Sequence, residues 1–137
     1  MKPHRIEVVF FDIGGTLGQV DATGHFVPFT PNARSLLEVM KNVLGLRIGV
    51  ITNLPETMSD QQVRQMLEDA GLLSFLDANG LITNRQAQAD KPAAKIYRFA
   101  AKKMGVAIQR CLFVGEDEHE VLGANAAGMS GILKPPL

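Results

Sequence analysis

Ile6-Glu7-Val8-Val9-Phe10-Phe11, followed by Asp12-Ile13-Gly14-Gly15, is the stretch that decides the fold of this chain. Its first six residues are rich in β-branched and aromatic side chains, and the glycine pair that follows ends the apolar run. A short apolar run without strict alternation is typical of a strand that is buried on both faces of a parallel sheet. The stretch therefore predicts a buried strand that ends at a carboxylate, Asp12.

Helical and strand patterns alternate along the rest of the chain. The predicted strands after the first are residues 46–51, 81–83, 111–114 and 131–133. One predicted helix begins at Pro31 with Thr30 as its cap, a second is capped by Ser59, and two more begin at Pro92 and at about Glu118. Strands that alternate with helices indicate a parallel sheet with helices on both faces. We therefore expect residues 1–137 to form a single α/β domain, a three-layer, doubly wound parallel sheet.

Two local patterns refine this expectation. The helix that begins at Pro31 carries a broad apolar face and ends at Gly45; the apolar residues are Leu36, Leu37, Val39, Met40, Val43 and Leu44. The irregular segment from Gly18 to Thr30 has turn residues, Asp21 to Gly24, between apolar residues. It predicts a small hairpin over the functional site.

The overall charge excludes some classes of partner. The chain has 14 basic and 14 acidic residues among 137 and a hydrophobic content of 46%, which is ordinary for a globular protein. No net basic charge attracts it to nucleic acid or to a membrane surface. The N-terminal apolar stretch is too short for a signal peptide, so we expect a cytoplasmic protein. The single cysteine, Cys111, lies in an apolar run and is interpreted as a buried structural thiol.

Polar side chains collect where the predicted strands end. Asp12 follows the first strand, Thr52 and Asn53 follow the second, and Lys91 directly precedes the Pro92 helix. The carboxylates Glu116, Asp117 and Glu120 follow the fourth strand. In open parallel sheets, ligands bind beyond the carboxyl ends of the strands. A carboxylate nucleophile, a hydroxyl, an amide, a cation and a carboxylate cluster suit metal-assisted phosphoryl transfer.

Each of these residues also has a plain structural interpretation. Asp12 could cap a turn, and Thr52-Asn53 before Pro55 could be ordinary turn chemistry. An isolated lysine is usually solvated, and the acidic run 116–120 is typical of the first turn of a helix, where the dipole favours it. The functional interpretation depends on the order in which all of them follow their elements.

That order resembles the haloacid dehalogenase-like hydrolase superfamily over nearly the whole chain. Its first motif resembles residues 9–17, where the strand ends in Asp12-Ile13-Gly14-Gly15-Thr16-Leu17. Residues 50–53 are similar to the second motif, and Lys91-Pro92 with Ile96-Tyr97 to the third. Residues 113–116, Glu120 and 123–129 resemble the fourth.

The resemblance implies roles for the matching positions. Asp12 would attack phosphorus and also bind Mg²⁺, together with the Gly14 carbonyl and Glu116, or Asp117 in its place. Thr52 and Lys91 would bind the transferring phosphoryl group, and Asn53 would assist through its backbone or its amide. Glu120 would support the metal site or orient Lys91.

The chain departs from the family pattern at two places. The second aspartate of the first motif, which protonates the leaving group and later activates water, is Gly14 here. Its loss removes an acid–base contribution of roughly 10²–10⁴-fold, and His119 is the only candidate for a replacement acid. Glutamate also stands at both acidic positions of the fourth motif, where aspartate is usual, so we expect an adjusted Mg²⁺ site.

Neither usual insertion point has room for a cap domain, so we expect a capless member. An open site admits a large phosphorylated substrate, whether a small molecule or a macromolecule. Alternatively, a sister subunit or a partner covers the site and excludes water. Three functions follow: a Mg²⁺-dependent phosphohydrolase restricted to good leaving groups, a catalytically weak relative that binds a phosphorylated ligand or protein, and carbon–halogen hydrolysis. The first is the leading hypothesis.

Overall fold

The computed structural model describes residues 5–29 and 32–134 of the protein. The strands are β1 (Val8–Phe11), β2 (Gly18–Val20), β3 (Phe26–Pro28), β4 (Arg47–Thr52), β5 (Leu81–Thr83), β6 (Cys111–Gly115) and β7 (Ser130–Leu133). The helices are α1 (Asn32–Glu38), α2 (Asp60–Asp69), α3 (Asn84–Ala87), α4 (Ala94–Met104) and α5 (Glu118–Ala127). A π-helical turn, Val39–Val43, continues α1, and 3₁₀ turns lie at Leu73–Phe75 and Ile108–Arg110. The predicted N-cap Thr30 and first residue Pro31 lie outside the described residues.

Five strands form one parallel sheet in the order β5-β4-β1-β6-β7. The strand β1 is its centre, and all four of its residues are at most 2% exposed. In the register, Phe11 lies beside Val50 of β4 on one side and Val114 of β6 on the other. The predicted doubly wound parallel sheet, with a buried first strand at its heart, is therefore confirmed.

The side chains of β1 alternate between two hydrophobic cores. Val8 and Phe10 point to the face that α4 and α5 cover, whereas Val9 and Phe11 point to the face that α1 and α2 cover. Each helix can contribute an apolar stripe to only one face, so helices on both faces are needed to bury a strand that is apolar throughout. Cys111 lies fully buried in the first of these cores, as expected for a structural thiol.

The strand order places the functional site. After β1 the chain builds β4 and β5 on one side, and then returns to build β6 and β7 on the other side. The connections therefore diverge next to β1, and a crevice opens there beyond the carboxyl ends of the strands. Asp12, Thr52 and Glu116 end or directly follow β1, β4 and β6, so the topology brings them to this one edge.

The predicted hairpin is confirmed as the antiparallel pair β2–β3. Its turn is closed by Asp21, whose carboxylate accepts hydrogen bonds from the backbone N–H groups of Thr23 and His25 and from the Thr23 hydroxyl. These bonds also lower the pKa of Asp21. An aspartate that bonds to the backbone two residues ahead is a recurrent turn device, which explains why this turn could be predicted.

The predicted apolar face of the first helix is only partly buried. Leu37 is fully buried, whereas the side chains that extend the face are 47–74% exposed: Leu36, Val39, Val43 and Leu44. The apolar residues wrap further around the helix than its contact with the sheet extends. The π-helical turn also changes the angle between successive side chains, so the ordinary helical period fails after Glu38.

The start of α4 differs from its prediction. The helix begins at Ala94 rather than at Pro92, because residues 90–93 form a turn in which the Ala93 N–H donates to the Asp90 carbonyl at 2.9 Å. The four-residue helix α3 was not predicted; it is capped by the side chain of Thr83. By contrast, Ser59 caps α2 as predicted and forms a reciprocal capping box with Gln62.

The structure is also consistent with a capless fold. Between β1 and β4 the described chain holds only the small hairpin, α1 and its π-helical turn. Between β4 and β5 it holds only α2 and a 3₁₀ turn. Across the described ranges, we find no helix of the length and apolarity that a membrane span requires.

Candidate active site

Asp12 lies at the first position after the central strand. Its backbone N–H donates to the Val114 carbonyl at 3.0 Å, which extends the pairing of β1 with β6 by one residue. Its side-chain Oδ1 accepts the N–H of Ile13 at 2.9 Å, and the side chain is 16% exposed. The carboxylate is thus held at the mouth of the crevice and retains access to solvent.

Lys91 reaches the same carboxylate from the other end of the sequence. Its Nζ lies 2.8 Å from Asp12 Oδ1 and 2.6 Å from Glu120 Oε1, and its side chain is only 1% exposed. The same Nζ lies 5.3 Å from the centroid of the Phe113 ring, within the range of a cation–π contact. A buried charge needs such compensation, so this lysine is a built part of the site rather than a solvated surface residue.

Asn53 holds the backbone of Lys91. Its Nδ2 donates to the Lys91 carbonyl at 3.1 Å, and its Oδ1 accepts the Lys91 N–H at 2.9 Å. The predicted role of the Asn53 amide was to assist phosphate binding, but the amide bonds instead to the main chain of Lys91. Phosphate binding by the backbone N–H of Asn53 stays a prediction.

Thr52 is the last residue of β4 and is 7% exposed. In the register of the sheet it lies beside Thr83, the last residue of β5. Its position at the carboxyl edge agrees with the sequence-based expectation, and its role in binding phosphate remains a prediction.

Glu120 lies in the first turn of α5 and supports Lys91 through the ion pair. Burial raises the pKa of Glu120, and the neighbouring Lys91 opposes that shift. The hydroxyl of Tyr97 donates to the Glu120 carbonyl at 2.6 Å, which ties α4 to the start of α5. Tyr97 is fully buried and meets the Phe113 ring edge-on, at a centroid separation of 5.7 Å. Glu120 therefore lies beside Lys91, and its supporting role in the site stays a prediction.

Glu116 approaches the loop after β1 from the end of β6. Its carboxylate lies directly against Gly15, where a Cβ atom would overlap it. Gly15 also has φ +75°, a conformation that other residues adopt only at a cost. Glycine at this position therefore makes room for the Glu116 carboxylate next to the loop that carries Asp12 and Gly14.

Gly14 stands where the family carries its second aspartate. It is exposed, and a Cβ atom at this position would have no atom within 4 Å. Its φ lies outside the left-handed region that Gly15 occupies and that favours glycine. The absence of a side chain is therefore not enforced by packing.

Asp117 is the N-cap of α5, and its Oδ1 accepts the Glu120 N–H at 3.1 Å. This bond gives Asp117 a structural role, whereas Glu116 has no capping function and faces the first loop. In the described ranges no three His, Cys, Asp or Glu side chains gather into a metal-binding group. A metal held here would therefore depend on fewer carboxylates and on backbone oxygen. His119, the candidate replacement acid, is exposed on α5.

The sequence interpretation missed three contributors to the site. Tyr97 and Phe113 were noted only as parts of motifs, and Lys134 was not noted. Lys134 Nζ donates to the Gly15 carbonyl at 3.3 Å and lies 5.1 Å from the centroid of the Phe29 ring. Beside it is a mostly apolar cavity of about 470 Å³, lined in part by Thr16, Leu17, Phe29 and Leu36. Nothing in the local sequence indicates these contacts, because they join residues that are far apart in the chain.

Comparison with known proteins identifies one family for this chain. The model of one family, the haloacid dehalogenase-like hydrolases, matches residues 18–128. The chain belongs to this family. The resemblance inferred from the four motifs is thereby confirmed.

Several curated relatives match this chain over part of their length. A glyceraldehyde 3-phosphate phosphatase of Methanothermobacter thermautotrophicus is 35% identical over 107 residues, which are 77% of this chain and 44% of the relative. A phosphoglycolate phosphatase of Escherichia coli K12 is 28% identical over 115 residues, 84% of this chain and 42% of the relative. The chain thus spans less than half the length of these curated relatives.

The fold of this haloacid dehalogenase-like chain also matches solved structures. An uncharacterized protein from Listeria monocytogenes serotype 4b superposes with a TM-score of 0.81 at 22% identity. The match covers 93% of this chain and 78% of that protein. At this level of identity the likeness establishes the fold alone.

Proposed function

We propose that this protein is a Mg²⁺-dependent phosphohydrolase that acts through an aspartyl-phosphate at Asp12. The observation that carries the proposal is the buried Lys91, which lies 2.8 Å from the Asp12 carboxylate. A cation at this distance can bind the phosphoryl group that Asp12 attacks. An aspartate carboxylate is an established kind of enzyme nucleophile and can form an aspartyl-phosphate. The phosphatase activities of the curated relatives support the same reaction class.

The oxygen atoms offered by the loop after β1 and by Glu116 suit the proposed cofactor. Asp12, the Gly14 carbonyl and Glu116 offer oxygen ligands, which Mg²⁺ prefers. The lack of a Cβ at Gly15 supports this assignment, because it lets the Glu116 carboxylate lie against that loop. Bound Mg²⁺ would offset phosphate charge. We favour Glu116 over Asp117 as ligand, because the carboxylate of Asp117 caps α5.

The protein residues account for the remaining parts of the reaction. Lys91, the Thr52 hydroxyl and the backbone around Asn53 bind the phosphoryl oxygens. Asp12 displaces the leaving group, and water then cleaves the aspartyl-phosphate to release phosphate. Glu120 holds Lys91 in place through the ion pair of 2.6 Å.

The glycine at position 14 restricts the substrates. Without a general acid, a leaving group must depart as an anion, so acyl and aryl phosphates are favoured over alkyl phosphates. The open site suits a phosphorylated small molecule or macromolecule, and a second copy or a partner protein would exclude water from it.

The first test is a phosphatase panel with and without Mg²⁺. We expect hydrolysis of aryl and acyl phosphates that requires Mg²⁺ and is abolished in Asp12→Asn. Activity that survives in Asp12→Asn would refute the aspartyl-phosphate mechanism. Because the base that activates water is also missing, phosphorylated Asp12 should accumulate and be detectable by mass spectrometry.

The second test restores the missing acid with Gly14→Asp. A Cβ atom at Gly14 would meet no atom within 4 Å, so packing does not oppose the start of the new side chain. We expect alkyl phosphate turnover to rise by up to roughly 10²–10⁴-fold and aryl turnover to rise much less. An equal rise for both classes would show that leaving-group protonation is not the missing step. Gly14→Asn, which has a similar volume but no acid, is the matched control.

The alternative function is binding of a phosphorylated ligand or protein without turnover, and the exposed Gly14 is the observation that favours it. The two functions separate in one experiment. If a phosphorylated ligand binds, but neither aryl turnover nor a phosphorylated Asp12 is detected, the binding function replaces the enzymatic one. Carbon–halogen hydrolysis ranks below both, because no cap closes over the described site.

A further inference from the structure

Both the nitrogen and the oxygen of the Asn53 side-chain amide form hydrogen bonds to the main chain of Lys91. Its Nδ2 donates to the Lys91 carbonyl at 3.1 Å, and its Oδ1 accepts the Lys91 N–H at 2.9 Å. The two residues are 38 positions apart, so the pair joins the loop after β4 to the turn before α4. Both hydrogen bonds have ordinary lengths for an amide.

This pair acts on the residue whose position matters most in the site. The Lys91 side chain reaches two carboxylates at 2.8 and 2.6 Å, while 99% of it is buried. A lysine side chain has four rotatable bonds, so its amino group is placed reliably only when its backbone is also fixed. Displacements of about 1 Å in a catalytic group can cost on the order of 10²-fold in rate.

We propose that Asn53 is a positioning residue that seats Lys91 against Asp12, and that its side chain is not itself a phosphate ligand. This inference rests on the proposed function and assigns Asn53 a different part in it. When the N–H and the carbonyl of one residue are both held, the Cα atom between them is fixed, and with it the point from which the side chain extends. Asn53 thus acts on the phosphoryl group only through Lys91.

Another asparagine supplies a matched control. Asn84 Oδ1 accepts the Leu54 N–H at 2.9 Å, and Asn84 Nδ2 donates to Asp90 at 2.9 Å. Asn84 therefore braces the same two loops through Leu54 and Asp90, the chain neighbours of Asn53 and Lys91, without a hydrogen bond to Lys91. Asn84→Ala removes a similar brace but leaves the backbone bonds of Lys91 intact.

The test combines anion binding with a local probe of the Lys91 backbone. Tungstate, a phosphate mimic, is titrated by calorimetry into the wild type, Asn53→Ala and Asn84→Ala. Asn53→Ala is also placed in a background that carries Lys91→Met with Glu120→Gln, which removes the cation together with one of its carboxylates. Amide hydrogen exchange at Lys91 is measured in the wild type and in the two asparagine variants.

We expect Asn53→Ala to weaken tungstate binding about 10-fold in the wild type and less than about 2-fold in the background without Lys91. Non-additivity of this kind marks a residue that acts through its partner. Exchange at Lys91 should become at least about 10-fold faster in Asn53→Ala and change little in Asn84→Ala, because only the first loses the acceptor of the Lys91 N–H.

Four results would overturn the inference. An equal loss of affinity in both backgrounds would make Asn53 a direct ligand, and no loss in either would leave it without a role in binding. If tungstate binds but exchange at Lys91 is unchanged in Asn53→Ala, the positioning role alone fails. If the wild type does not bind tungstate, the proposed function fails and the positioning role fails with it.

Discussion

The two sides of the site at the carboxyl edge of the sheet are built differently. On the Lys91 side, Lys91 and Thr52 are at most 7% exposed, and Lys91 is held by ion pairs and by Asn53. On the Glu116 side, Gly14, Glu116 and Asp117 are exposed. Buried charges are costly to leave unpaired, whereas exposed ones cost little. Substitutions on the Lys91 side should therefore lower both the stability and the ligand binding of the protein. Substitutions on the Glu116 side should change ligand binding with little effect on stability.

The largest effect is expected for Lys91→Met. The substitution leaves the carboxylates of Asp12 and Glu120 without their shared cation, so the free energy of unfolding should fall by about 3–5 kcal/mol. Glu116→Gln, on the exposed side, should change it by less than about 0.5 kcal/mol. Urea unfolding measures both variants. If both variants lost the same stability, the two sides of the site would not differ in the way described. If Lys91→Met with Glu120→Gln regained part of the loss, the unpaired Glu120 carboxylate would be identified as one of its causes.

The two adjacent glycines should respond differently to alanine. Gly15→Ala forces alanine into a left-handed conformation and places its Cβ on the Glu116 carboxylate, so it should cost about 1–2 kcal/mol or more. Gly14→Ala has open space and should cost less than about 0.5 kcal/mol. Thermal unfolding with and without Mg²⁺ measures both. Gly15→Ala should also reduce the Mg²⁺-induced rise in Tm, and a full rise would argue against Glu116 as a ligand.

Tyr97 tests how tightly the Lys91 side is packed. Tyr97→Phe removes the hydrogen bond to the Glu120 carbonyl and should cost about 1 kcal/mol. Burial raises the pKa of Tyr97 above its ordinary value, so the folded protein keeps a proton that the unfolded chain releases. The free energy of unfolding should therefore fall as pH rises above about 10, and Tyr97→Phe should remove that part of the fall.

This titration can be followed directly, because Tyr97 is the only tyrosine of the chain. Absorbance at the phenolate band should stay constant in the folded protein and rise only as the protein unfolds. A phenolate signal with an ordinary pKa in the folded state would contradict the buried environment of Tyr97.

The smallest effect is expected for Asp117→Asn. Asparagine caps a helix about as well as aspartate, so the free energy of unfolding should change by less than about 0.5 kcal/mol. If Asp117 is only a cap, the variant should also keep the rise in Tm with Mg²⁺, whereas Glu116→Gln should lose it. The reverse outcome would make Asp117 the metal ligand.

The sequence predicted the parts of the fold that local patterns determine. The apolar run of β1, the Ser59 capping box and the Asp21 turn each depend on neighbours within a few residues. The exposed part of the α1 face escaped prediction because exposure depends on how much of the helix the sheet covers. The start of α4 at Ala94 escaped because the turn before it is fixed by its own backbone bond.

The same distinction holds in the site. The positions of Asp12, Lys91 and Glu116 followed from the rule that ligands bind beyond the carboxyl ends of parallel strands. The bonds from Asn53 to the Lys91 backbone, and from Tyr97 to Glu120, join residues 38 and 23 positions apart. Such pairs leave no periodic or local signal in one sequence, so only the folded chain identifies them.

The open space at Gly14 has a consequence for the evolutionary history of the protein. For two of the four glycine codons, a single base change produces aspartate. A lost catalytic group is usually irretrievable once neighbouring side chains have filled its place, because several compensating mutations must then arise together. Here a Cβ atom would meet no neighbour within 4 Å, so aspartate can arise at this position in one mutational step at little cost in stability.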